Sequence, residues 1–241
     1  MTSLLRAAPT RPARPTGWVP YALVALSGIP VVAGTLRLVE VFGGPEVLPH
    51  NARISASPAP VVVHVLSVIP YAVLGAFQFS ARLRRRRPGW HRAAGRALVA
   101  LGLAVAFSGL WMTLFYPRQT DTGVLAYLFR LAAGSGMAAS ITLGFAAIRR
   151  ADVATHQAWM TRAYALALGA GTQTFTLGLA HALLGDASPS TDLGLGAGWA
   201  INLAVAELVI RRGRSPRRRG PAGGTSRPGR PGNLVARVGS P

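Results

Sequence analysis

The sequence predicts an all-α fold: a polytopic membrane bundle of six transmembrane helices with both termini cytoplasmic. Three observations predict it. Half of the 241 residues are apolar and only 14% are charged, so a soluble basic domain does not fit the formal charge of +19. Charge is also distributed so unevenly that long stretches carry none. A bilayer core of about 30 Å takes ~20 mostly apolar helical residues to cross, and such a run occurs six times. Finally, the basic residues between the runs fall almost entirely on alternate connections.

In chain order, a basic segment 1–17 with Arg6, Arg11 and Arg14 precedes the first span, Trp18 to Val39. That span is too long for the apolar part of a signal peptide, so it reads as an uncleaved anchor. Pro30 in the first span and Pro70 in the second, Ala59 to Ser80, mark expected kinks, because each removes an N–H from the helix ladder. The third span is Ala94 to Tyr116, and the fourth is Leu125 to Ile148. The fifth runs from Ala158 to Leu184 and the sixth from Leu193 to Ile210. Together they form a transmembrane domain over residues 18–210. Small residues at Gly134, Ser135 and Gly136, and at Gly169, Ala170 and Gly171, let backbones approach closely. Residues 211–241 form a Pro, Gly, Ser and Arg tail that is expected to be disordered, since it carries too little apolar surface to fold.

Orientation follows from arginine placement. Of 26 basic residues, all arginine, 22 lie on the side shared by both termini. The exceptions are Arg37, Arg53, Arg118 and Arg130. This asymmetry places the termini in the cytoplasm and turns the positive charge toward anionic lipid. A nucleic-acid partner is not supported, and the absence of cysteine excludes disulfides, thiolate nucleophiles and cysteine-held metal or haem.

Polar groups at membrane depth are the candidate site residues. At 1.5 Å rise per residue, His64, Arg130 and His181 each lie about 6 to 8 Å in from the outer ends of the second, fourth and fifth spans. Two facing imidazoles suit the axial positions of a b-type haem, and Arg130 suits a propionate. The bland alternative is that both histidines are interfacial residues bonded to backbone or water. A proton relay or an anion site remains a third reading. Near the cytoplasmic ends lie His91, Arg96, His156, Trp159, Arg162 and Glu207. Arg162 and Glu207 are placed to pair between the fifth and sixth spans, chiefly as a structural link, and Glu207 could equally pair with Arg211 one turn below. His91 and His156 open the third and fifth spans among arginines and suit an anionic headgroup; their bland reading is an interfacial girdle with Trp159.

Three segments also carry a family likeness: His64 through Gly75, Phe77, Gln78 and Phe79; the turn Pro88, Gly89, Trp90, His91, Arg92, Gly95 and Arg96; and Ile148, Arg149, Arg150, Asp152, His156, Trp159, Met160 and Arg162. The chain resembles the predicted bacterial multi-pass membrane proteins of domain-of-unknown-function family 2306, over approximately residues 60–185. That resemblance implies topology and membrane location, and it implies no activity. Three function classes therefore stand open. They are a b-haem or quinone-linked redox protein, a small-solute or proton transporter with Thr172, Thr174 and Thr176 on a polar path, and a non-catalytic scaffold binding lipid or a partner.

Overall fold

The computed structural model describes residues 17–119 and 121–214. The first sixteen residues with Arg6, Arg11 and Arg14, and the tail beyond Arg214, lie outside the described residues. The elements are α1 Val19–Leu26, α2 Gly28–Val41, α3 Ala52–Ala56, α4 Ala59–Gln78, α5 Ala81–Arg86, α6 Pro88–Phe115, α7 Val124–Arg149, α8 Val153–Ala167, α9 Gly169–Leu184 and α10 Ser188–Arg214. Among the described residues there is no strand.

Among the described residues, four single helices, α4, α6, α7 and α10, are long and apolar enough to cross a membrane, and α1 with α2 forms a fifth such stretch bent by 46°. Only 28 to 39% of the residues in each of the four apolar windows are buried. Most of their apolar surface, including Leu66, Phe107, Leu128 and Val205, therefore faces outward, as lipid requires and water does not permit.

The ends of the elements follow local chemistry. Pro88 opens α6 at a position where a missing N–H costs nothing. The Ser80 side chain accepts the Leu83 N–H to start α5, and the Asp152 carboxylate accepts the Thr155 N–H at 3.0 Å to start α8. Gly185 ends α9 with φ +80, a conformation glycine adopts without steric cost.

Two expected spans are broken. The first divides at Ser27, one turn before Pro30, because proline cannot donate to the carbonyl of Leu26. The Ser27 hydroxyl donates instead to the Leu23 carbonyl. The fifth divides at Leu168. There the Trp199 indole N–H donates to the Leu166 carbonyl at 3.2 Å, and its ring packs where Gly169 has no Cβ. Neither α8 nor α9 alone has the length of a span: their 15 and 16 residues cover only about 22 to 24 Å each. By contrast, α4 runs through Pro70 without interruption. The structure also starts α6 and α10 earlier than expected and adds the short helices α3 and α5.

Successive long elements pack antiparallel. Tyr21 meets Phe77 edge-on at 5.9 Å, and Gly34 lies against Val65, fixing α1 and α2 beside α4. His64 reaches the Val105 carbonyl on α6, Gly134 of α7 faces Leu110 of α6 and Gly144 faces Met160 of α8. Gln173 of α9 donates to the Leu195 carbonyl of α10 at 3.0 Å. This threading brings the start of α1, the α4–α6 and α7–α8 connections and the end of α10 to one end of the bundle, which holds Arg82, Arg84 to Arg87, Arg149 and Arg150. Arg37, Arg53, Arg118 and Arg130 lie toward the other.

The core fills the arginine-rich half. Tyr71, Leu98, Ile141, Ala163 and Tyr164 are buried together. The Tyr71 ring lies over Gly102 and the Tyr164 ring over Gly75, each about 2.6 Å from where a Cβ would stand. No larger residue leaves room for these rings.

Candidate functional site

Toward the arginine-poor end the helices separate around a cavity of about 540 Å³, walled by α2, α4, α6, α7, the end of α8, α9 and α10, with α3 at its rim. Val61 to Ala72 on α4 and Val105 to Tyr116 on α6 line it. Each stretch is eleven steps along a helix, so the cavity extends about 16 Å along the bundle axis. Glycines at 34, 109, 134 and 171 contribute to its width.

Its polarity is graded. Arg53, Tyr116, Gln119 and Arg130 line the outer part. Arg130 donates to the Gln119 side-chain carbonyl at 3.3 Å. Arg53 donates to Asn51 Oδ1 at 3.3 Å and to the Pro117 carbonyl at 3.4 Å, with its guanidinium 5.8 Å from the centre of the Tyr116 ring. The Tyr116 hydroxyl donates to the Ser57 carbonyl at 2.5 Å, which ties α3's approach to the end of α6. A small niche of about 30 Å³ adjoins this rim and adds Arg118 and Tyr127, with the Arg118 guanidinium 4.9 Å from the centre of the Tyr127 ring. Three of the four exceptional arginines thus converge on one rim.

Deeper in, the walls are Val65, Val68, Val105, Ala106, Met137, Leu166 and Leu168, interrupted by His64. Its Nδ1 lies 3.0 Å from the Ser108 hydroxyl and 3.2 Å from the Val105 carbonyl. Ser108 in turn donates to the Ala104 carbonyl at 2.6 Å. These contacts fix the imidazole against α6 opposite Gly109, whose missing side chain leaves it space. No described residue hydrogen-bonds its Nε2. The floor is Ala72, where the Tyr164 hydroxyl donates to the backbone carbonyl at 2.7 Å. Below it the packed tyrosines and Ile141 fill the bundle.

His64 and Arg130 line the same cavity, Arg130 at its rim and His64 deeper, whereas His181 does not line it. His181 lies at the end of α9. Its Nε2 is 3.0 Å from the Thr191 hydroxyl and its Nδ1 is 3.3 Å from Asp186, so both ring nitrogens hold the α9–α10 turn. His64 is the one histidine among the described lining residues. A pair of facing imidazoles for a b-type haem is therefore not what this cavity offers. The threonines of α9 are also committed elsewhere: Thr172 bonds Asn202, Thr174 bonds its own helix and Thr176 donates to the Gly194 carbonyl. None lines the cavity.

At the arginine-rich end the expected pair forms. Arg162 Nε and Nη2 reach the two Glu207 oxygens at 2.5 and 3.1 Å, while its guanidinium lies 4.7 Å from the centre of the Trp159 ring. His156 Nδ1 sits 2.9 Å from the Gly144 carbonyl and joins α8 to α7. His91 lies within electrostatic range of His156, Arg84 and Arg92, and its Nδ1 is buried with no hydrogen-bond partner. Arg96 is exposed.

Sequence reasoning missed Arg53, Gln119, Tyr116 and Trp199 as wall residues. The signal for Arg53 was present in its minority placement among the arginines. Nothing local marks Trp199, which reaches the cavity through the break at Leu168.

The fold and cavity define a polytopic helical membrane protein with a pocket recessed into its apolar bundle. The chain belongs to the predicted membrane protein family DUF2306, which matches residues 61–210. That match takes in α10 as well as the segments that carried the resemblance, and leaves α1 and α2 outside. No curated protein and no solved structure matches the chain.

Proposed function

We propose that this protein is a six-span membrane protein of the cell membrane with cytoplasmic termini, whose outward-facing blind pocket binds a small molecule drawn from the lipid phase. The observation that carries this reading is the graded cavity: about 540 Å³, polar at its rim, apolar along its walls and closed at Ala72. Pockets that take up most of a ligand's surface have this volume and this mixture of apolar wall and few polar groups. A route for solute transport needs continuity to the other face, and the packed half beneath Tyr164 supports binding over passage.

Six spans follow if α8 and α9 cross as one broken unit, a reading supported by both packing along α10, α8 also against α7 and α9 also against α2. The arginine bias between the two ends supports cytoplasmic termini. The wall formed by α2 is the weakest, since α2 has no buried residue, and it is the natural place for a lipid-phase molecule to enter.

Native mass spectrometry of the full chain released from nanodiscs tests the reading. The wild type should carry one small lipid-derived molecule, and Ala133→Trp, which fills the cavity from α7, should carry none. A wild type without adducts, or an unchanged adduct in Ala133→Trp, contradicts it. A Soret band that disappears in His64→Ala would contradict it in favour of haem.

A further inference from the structure

Resting on that reading, we infer that the ligand is a single-chain amphiphile with a compact oxyanion headgroup, carboxylate or phosphate, held by Arg53 and Arg130 with its tail running inward past His64.

The argument begins with unspent charge. Arg53 and Arg130 come from different elements, α3 and α7, and line the same cavity. Among the described residues neither lies within ion-pair distance of a carboxylate. Arg130 makes one hydrogen bond, to the neutral Gln119 amide, and so keeps most of its five N–H donors. Arg53 is bonded only to neutral oxygens. The two cations repel one another, while Asp121 and Asp192 act on Arg130 only from longer range. Asp192 is already engaged by the Gly123 N–H at 2.8 Å. Two half-buried guanidiniums held at one rim with no carboxylate in ion-pair contact are stabilised further by an anion, and carboxylate or phosphate matches the guanidinium fork.

The second half of the argument is what lies beyond the rim. A small hydrated anion needs no apolar recess about 16 Å deep. An alkyl chain does, because its transfer from water contributes roughly 0.8 kcal/mol per buried CH₂. Val61, Val65, Val105, Ala106 and Met137 supply that wall.

The test is saturable binding of tritiated oleate to the purified full chain in a neutral maltoside detergent, with methyl oleate, acetate and inorganic phosphate as competitors. Unlabelled oleate should displace the label and the other three should not. Arg53→Gln and Arg130→Gln should each weaken binding about tenfold, whereas Arg85→Gln, at the far end, should leave it unchanged. Equal competition by methyl oleate overturns the headgroup assignment while leaving the pocket reading intact. Equal competition by acetate or phosphate overturns the amphiphile in favour of a free anion. If an arginine variant is not monodisperse, the competition on the wild type decides alone. Absence of saturable oleate binding overturns the inference, and the pocket reading then stands or falls on the adduct carried by the wild type and lost in Ala133→Trp.

Discussion

The Tyr164 hydroxyl donates to the backbone carbonyl of Ala72 at 2.7 Å, and this hydrogen bond between α8 and α4 marks where the cavity stops. Tyr164 is held there by ring contacts with Phe79, 5.1 Å between centroids, and with Tyr71 at 6.0 Å, over the bare backbone of Gly75. A polar group at that depth is expensive unless bonded, so the hydroxyl and carbonyl stabilise each other and close the floor together.

Removing only the hydroxyl should therefore be mild, and removing the ring should not. Tyr164→Phe is expected to lower stability by about 1 kcal/mol. Tyr164→Ala should lower it by roughly 3 to 5 kcal/mol and connect the cavity to the arginine-rich half. Denaturant or thermal unfolding of the detergent-solubilised variants measures both. Equal effects would mean the ring does not form the floor.

Glycine positions give a second check on the packing. Gly102→Ala places a methyl group about 2.6 Å from the Tyr71 ring and 2.7 Å from Ile141, so a loss of about 1 to 3 kcal/mol is expected. Gly178→Ala, mid-helix in α9 with nothing within 4 Å, should instead raise stability by about 0.5 to 1 kcal/mol through helix propensity. Opposite signs in parallel thermal melts are the expected outcome, and like signs would contradict the packing described.

The Arg162–Glu207 pair should show coupling. Both side chains are partly exposed, 23 and 36%, so the gain is discounted from that of a buried pair. A double-mutant cycle with Arg162→Gln and Glu207→Gln should return a coupling of about 1 to 2 kcal/mol in unfolding free energy. A coupling near zero would make the contact incidental to α8–α10 packing.

How far the sequence anticipates these features depends on whether their cause is local. Apolar length gives α4 and α7 to within two residues and α6 apart from its first six, 88–93, and Pro30 foretells the break before α2. Gly169 and Gly171 do not foretell the break at Leu168, since glycine is ordinary in membrane helices; its cause is Trp199, thirty residues on. Depth places His64, Arg130 and His181 in one layer, but depth is only one of two helical coordinates. Rotation about the axis decides which way each side chain points. That is set by neighbours such as Ser108 for His64 and by Asp186 and Thr191 for His181. Arg162 and Glu207 were legible because opposite charges at one depth on two adjacent spans favour pairing, with Arg211, one turn from Glu207, as the competing partner.

The central claim is that the cavity opens on the arginine-poor, outer face and is filled by a ligand chain. Because the chain has no cysteine, a single cysteine can be read without background. Thr113→Cys lies in the cavity wall and Arg85→Cys at the opposite end. In intact cells a membrane-impermeant maleimide should label position 113 and spare position 85. In the purified protein, oleate should slow labelling at 113. Labelling of 113 only after the cells are permeabilised, or at a rate that oleate does not change, would contradict the account.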